Sequence, residues 1–226
     1  IAWAAQRSGI IFTPISTHLK PAEAAYILEN CGARLFVGSL ALADIAEQII
    51  SAAPGQIAHF YMVGGIRPGF ESWEEAIDLQ STARITDESY GVAMLYSSVT
   101  TGQPKGVFIP PADTHVNAPH PLASSLGMAF GFGEETVYLS PAPLYHAAPL
   151  HYSMLSMYQG GTVVVMEQFD AERALQLIQE HRVTHSQWVP IMFIRMLKLP
   201  QEVRERYDLS SMQFAIHAAA PCPIEV

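Results

Sequence analysis

The sequence predicts an α/β fold of mostly parallel sheets flanked by helices, and three observations predict it. Short apolar runs such as Phe60-Tyr61-Met62-Val63 alternate along the chain with segments whose apolar residues recur at helical spacing. Capping residues stand where those segments begin and end, which fixes the alternation as real elements. Half of the 226 residues are hydrophobic and 15% are charged. A chain of this length buries about 70% of its unfolded surface and needs neither disulfide nor metal to close a core. Strands alternating with helices argue for a largely parallel sheet.

Each element follows from its residues. Trp3, Gln6 and Arg7 ahead of Gly9 read as the end of a helix, and Ile10-Ile11-Phe12-Thr13-Pro14 as a short strand. Pro21 opens a helix with the stripe Ala24, Ile27, Leu28 and Cys31, and Gly32 ends it. Leu35-Phe36-Val37 reads as a buried strand. Leu42, Ile45, Ala46 and Ile49 repeat the helical spacing until Pro54-Gly55 halts it, and Phe60 starts the next strand. Residues 64–70 read as a loop and 73–79 as a short helix. Residues 92–96 form a strand running into a Ser/Thr/Gly-rich turn.

Past Pro110-Pro111 a second alternating set begins, with a helix around 115–126, a strand at 136–139, a helix at 149–158 and a β-branched strand at 162–166. Asp170 is a good N-cap for a helix with the stripe Ala171, Ala174, Leu175 and Ile178. A strand at 183–189, a helix at 191–197 after Pro190, and a strand at 212–216 complete the set. The seam at the two prolines divides the chain into 1–112, ending just past the Ser/Thr/Gly turn, and 113–226.

Composition excludes several classes. Twelve Lys and Arg against twenty-one Asp and Glu give a net charge of −9, so the basic footprint of a nucleic-acid binder is missing. Two cysteines, Cys31 and Cys222, make no disulfide framework and no metal-type spacing, which fits a reducing cytoplasm. The first residues are no signal peptide, and no apolar run reaches the roughly 18 residues of a spanning helix. The first residues read as the tail of a helix whose start is absent, and ten residues follow the last strand without a closing element, so the expectation is a piece of a longer protein.

The chemistry is concentrated in Tyr96-Ser97-Ser98-Val99-Thr100-Thr101-Gly102-Gln103-Pro104-Lys105-Gly106. Hydroxyls, glycines and a lysine directly after an apolar strand make a phosphate cradle. Backbone N–H groups and hydroxyls donate to phosphate oxygens, and the ammonium supplies a compact charge. The Walker A spacing is not satisfied. The same composition also describes an exposed turn between elements.

This stretch resembles the phosphate-loop signature of the adenylate-forming superfamily, Tyr-Thr-Ser-Gly-Thr-Thr-Gly-x-Pro-Lys-Gly, with Ser97 for Thr and Val99 for Gly. Glu23-Ala24-Ala25-Tyr26-Ile27-Leu28 and Gly32-Ala33 are similar to the segment before that loop in acyl-CoA synthetases. Pro143-Leu144-Tyr145-His146 resembles the family's Pro-Leu-Phe-His motif, residues 184–190 a pocket-lining strand and turn, and Ala218-Ala219-Ala220-Pro221 the stretch against the adenine.

The resemblance implies the incomplete N-terminal domain of an acyl-CoA synthetase-like fold. The implied activity is an ATP-dependent ligase joining a carboxylic acid, fatty or aromatic, to CoA through an acyl-adenylate. It implies ATP, Mg²⁺ and CoA as cofactor and co-substrates. Ser98, Thr100, Thr101, Gly102 and Lys105 would hold the phosphates, Ala219, Ala220 and Pro221 would meet the adenine, and Tyr145, His146, Val189 and Pro190 would border the acid. The family's Mg²⁺ glutamate, ribose aspartate and catalytic lysine belong to motifs absent up to Val226. No catalytic residue or metal ligand is therefore assigned here, and the chain alone is expected to be inactive. Val99, β-branched where glycine is usual, is expected to slow loop closure or weaken ATP binding. It favours the alternative of a non-catalytic nucleotide-binding module or a degenerate synthetase relic. Homo-oligomer formation is left open.

Other residues weigh toward structure. His181 and His185 straddle an expected helix-to-strand change, which disfavours shared metal ligation. Met154, Met157 and Met166 read as core filler, Trp188 as core rather than gate, and the charges around 202–206 as a solvated face.

Overall fold

The computed structural model describes residues 1–53, 55–97, 103–110, 116–118 and 121–226. The chain forms two compact units, Ile1–Val116 and Asn117–Val226. In order, the first holds α1 (Ala2–Arg7), α2 (Pro21–Asn30), β1 (Leu35–Ser39), a 3-10 turn (Leu40–Leu42), α3 (Ala43–Ala52), β2 (His59–Val63), β3 (Glu71–Ser72), α4 (Trp73–Asp78), β4 (Leu95–Ser97) and β5 (Lys105–Val107).

Local chemistry sets the limits of α2. Pro21 supplies a preset φ at its first position, and the Glu23 carboxylate accepts the Lys20 N–H at 2.8 Å. At the other end Gly32 adopts φ +66°, and the Ala33 N–H donates to the Leu28 carbonyl. Ala24 and Leu28 then pack with Ala46 and Ile49 of α3 onto Phe36 of β1 and Met62 of β2. Phe36, Phe60 and Phe70 meet at tilted and edge-on angles within that core. A fully buried side chain such as Met62 contributes about 1.5–3 kcal/mol. β1, β2 and β3 pair in parallel, with Phe36 opposite Phe60 and Met62 opposite Ser72.

Several expectations change in this unit. Residues 10–14 form no strand; Phe12 makes a single bridge to Ala93, while Ile10 and Ile11 are exposed. Pro14 lacks the N–H a ladder needs. The strand at 35–37 is longer and only half-buried, with Leu35 exposed and Phe36 buried. The strand before the Ser/Thr/Gly turn is shorter than the expected 92–96. Its partner β5 pairs antiparallel to it, with Ser97 opposite Lys105. Pro54 lies outside the described residues.

The second unit holds α5 (Pro121–Phe130), β6 (Val137–Ser140), α6 (Ala147–Tyr158), β7 (Thr162–Val165), α7 (Ala171–His181), β8 (His185–Trp188), α8 (Pro190–Leu197), α9 (Gln201–Arg204) and β9 (Phe214–His217). Among the described residues its strands form one parallel sheet in the order β7-β6-β8-β9. Alternate side chains face opposite layers. Leu139 and Trp188 join Ala174, Leu177 and Ile178 of α7 and Met192 of α8. Tyr138 joins Ala123 and Leu126 of α5 and Leu155 of α6 on the other face. Helices cover both faces of this parallel sheet, in line with the expected parallel sheet flanked by helices.

The Asp170 side chain accepts the Arg173 N–H at 2.8 Å and caps α7, whose stripe Ala171, Ala174, Leu175 and Ile178 is buried. The helix expected around 115–126 runs from Pro121 to Phe130, and His115 lies outside the described residues. Met157 is half-exposed rather than core, whereas Met166 is buried. Among the described residues no helix is long and apolar enough to cross a membrane.

Candidate functional site

A parallel sheet with helices on both faces leaves a crevice outside the carboxyl ends of its strands where the strand order reverses. Here β6 leads to β7 on one side and β8 returns to the other, so the reversal falls between β6 and β8. Three of the segments singled out in the sequence leave the sheet at this edge. Residues 141–146 follow β6, Val189 and Pro190 follow β8, and Ala218 to Pro221 follow β9.

Each segment is held by backbone geometry. The His146 N–H donates to the Pro143 carbonyl at 3.1 Å, closing a turn that sets His146 at the N-cap of α6. Tyr145 and His146 rings lie 4.6 Å apart at their centroids. Partial withdrawal from water lowers the His146 pKa below its ordinary value of 6.5, although the residue keeps an exposed edge. That shift favours the neutral imidazole. Val189 is the N-cap of α8 and Pro190, buried, its first residue. The Ala218 N–H donates to the Trp188 carbonyl at 3.1 Å, tying the segment after β9 to the end of β8. Ala219 then turns at φ +72°, a left-handed conformation that costs an alanine about 1 kcal/mol.

The N-termini of α6 and α8 both open at this edge. Their unpaired N–H groups and the positive end of each dipole favour an anion there. Ser140 closes β6 at the same edge; it is fully buried, and its hydroxyl has no partner among the described residues. Ser140 is not among the residues the sequence motifs single out. A single serine ending an apolar strand was the available signal. Trp188 is 2% exposed and packs against Phe169 and Phe193, so it is core.

Lys105 belongs to the first unit. It begins β5, is exposed, and its carbonyl lies 3.4 Å from the Ser97 hydroxyl. Ser98, Val99, Thr100, Thr101 and Gly102 lie outside the described residues. Both nitrogens of His185 are engaged, with the Thr184 hydroxyl at 2.8 Å and the Phe130 carbonyl at 2.7 Å, and the residue is 1% exposed. His181 ends α7 and is exposed. Among the described residues no three acidic, histidine or cysteine side chains cluster as a metal site would require.

Comparison with known proteins adds the lineage. The family described as AMP-binding enzyme matches residues 1–226. The chain is 31% identical over 225 residues to 4-coumarate–CoA ligase 5 of Oryza sativa, covering 96% of this chain and 40% of that protein. It is 28% identical over 223 residues to a long-chain-fatty-acid–CoA ligase of Mycobacterium tuberculosis, covering 98% and 42%. Among solved structures, the anthranilate CoA ligase AuaEII in complex with anthranoyl-AMP superposes with a TM-score of 0.79 at 27% identity, covering 95% of this chain and 42% of that one. The chain thus spans about two-fifths of the length of the curated relatives it matches.

Proposed function

The chain belongs to the AMP-binding enzyme family, and from that premise we propose that it binds ATP and a carboxylic acid within a longer ligase that joins the acid to CoA. The observation that carries this reading is the gathering of Tyr145-His146, Val189-Pro190 and the Ala219 turn at one edge of the β6-β8-β9 sheet. A carboxylate at the N-termini of α6 and α8 would be held by dipoles and N–H groups rather than by a counter-charge. Its oxygen stays nucleophilic there. His146 and Tyr145 would border it, with Val189 and Pro190 along an apolar wall. Ala219, Ala220 and Pro221 would lie against the adenine.

In the proposed reaction the acid oxygen attacks the α-phosphorus of ATP. The bond to the leaving pyrophosphate breaks, and acyl-AMP forms. The CoA thiolate then attacks the acyl carbon and AMP departs. Positioning and charge neutralisation dominate such a transfer. Lys105, with Ser98, Thr100, Thr101 and Gly102, would supply them at the β- and γ-phosphates. Mg²⁺ would shield the triphosphate charge, and no ligand for it is assigned among this chain's residues. Fatty and aromatic acids are the proposed substrates, since the names of the relatives include both. Free Cys31 and Cys222 suit a reducing cytoplasm, and homo-oligomer formation is compatible with the reading. The proposed division of the chain is 1–112, ending just past the Ser/Thr/Gly turn, and 113–226.

Acid-dependent exchange of labelled pyrophosphate into ATP by the longer protein, with 4-coumarate and palmitate as acids, tests the reading; no exchange with any acid rejects it. The chain alone is expected to release no pyrophosphate. Val99 favours a second reading, a nucleotide-binding module without catalysis, in which ATP binds and exchange never occurs.

A further inference from the structure

We propose that Asn30 and Gly106 are positioning residues for Lys105, acting through the phenol of Tyr96. This rests on the reading of Lys105 as a phosphate-binding group.

The β4–β5 pair has little packing to hold it. All three residues of β5 are exposed, and Ser97 opposite Lys105 contributes one long side-chain hydrogen bond. Tyr96, the neighbouring position, faces Gly106 directly across the ladder. A Cβ on Gly106 would meet the end of the Met94 side chain first, at its Cε, and would then stand 2.9 Å from the Tyr96 Cζ and 3.1 Å from its Oη. The ring therefore lies across the partner strand, over the place where any other residue would carry a side chain.

From that position the phenol reaches out of the hairpin. Tyr96 Oη donates to Asn30 Oδ1 at 2.5 Å, across a sequence separation of 66 residues. Asn30 is the last residue of α2, and α2 is anchored in the core by Ala24, Ile27 and Leu28. Desolvation first, and the neighbouring Cys31 and Tyr26, push the phenol pKa up to about 12, so it stays a protonated donor throughout the physiological range. This hydrogen bond ties the exposed two-stranded ribbon to a core helix, beside the backbone bonds that hold the residues just ahead of β4 to Phe12, and a two-stranded ribbon is marginal in water without such support. The register it fixes is the register that places Lys105.

Two measurements on N30A, Y96F, N30D, G106A and the N30A/Y96F pair test this: amide exchange in β4 and β5 without nucleotide, and the ATP dissociation constant by titration. N30A and Y96F should each speed exchange and weaken ATP binding by about threefold to tenfold, the worth of one ordinary hydrogen bond. The double variant should be no worse than either single one, and N30D, which keeps an acceptor oxygen, should recover most of the loss. G106A, which displaces the Tyr96 ring and the end of Met94 together, should speed exchange and weaken ATP binding at least as much as Y96F. Unchanged exchange in N30A and Y96F overturns the proposal, as does faster exchange with unaltered ATP binding. If the unmodified protein binds ATP and N30A binds it equally well, only the positioning role falls. If the unmodified protein binds no ATP, the functional reading fails and takes this role with it.

Discussion

The β4–β5 ribbon and the β7-β6-β8-β9 sheet support their ligand-binding candidates in opposite ways. Every residue of β8 is buried and both faces of its sheet are covered, whereas every residue of β5 is exposed. Tyr145, His146, Val189 and Pro190 thus ride on a scaffold that packing fixes to within a methyl group. Lys105 rides on a ribbon held by a few polar contacts and one glycine. Strong packing suits a pocket that selects the shape of an acid. Weak local support belongs to segments that open at little cost in free energy. Stability and ligand affinity should therefore separate between the two regions.

The hardest break comes in the sheet. Trp188→Ala should destabilise the second unit by about 3–5 kcal/mol, read from urea unfolding, because a fully buried indole between two core layers leaves a cavity. A cost below about 1 kcal/mol would mean the sheet is not the rigid partner in the comparison. A smaller effect of opposite sign is expected at the edge of the same sheet. Ala219→Gly removes a left-handed alanine and should stabilise by up to about 1 kcal/mol. Destabilisation there would show that the turn is held by contacts of the methyl group.

The smallest effect lies in the first unit and only in acid. Hydrogen bonds from Arg84 and then Arg7 hold the Glu88 carboxyl at about 2, against an ordinary value of 4.5. A depressed pKa in the folded chain gives stabilisation that is complete above 4.5 and is lost as the pH falls toward 2. Glu88 fastens α1 to the segment ahead of β4, where the Gly91 N–H also donates to the Gln6 carbonyl. The unfolding midpoint of the first unit should fall through this window, and Glu88→Gln should flatten the fall. Superimposable curves would remove Glu88 from the account.

Legibility in the sequence followed the range of the interactions. Pro21, Gly32, Asp170 and Pro190 act on their own backbone neighbours, and the helices they frame lie where the periodicity puts them. The family and the fold class were also legible, because Pro104-Lys105-Gly106 and Pro143-Leu144-Tyr145-His146 keep a recognisable order. β5 was not legible: Lys-Gly-Val has no strand pattern, and it pairs across a turn with Tyr96 opposite Gly106, where Met94 and Tyr96 fill the space a side chain would take. Residues 10–14 misled in the other direction, since apolar character came without a partner for more than one bridge. The reversal between β6 and β8 depends on long crossovers that no local signal records. The left-handed turn at Ala219 defies the preference of its own residue type.

Titration of ATP into the unmodified protein and into Lys105→Ala tests most directly whether Lys105 is the cation for the triphosphate of ATP, as proposed. The prediction is saturable binding that weakens about tenfold or more in the variant, as loss of a charge-assisted contact gives, with an unchanged unfolding midpoint because the side chain is exposed. Equal binding of ATP by both proteins would contradict it.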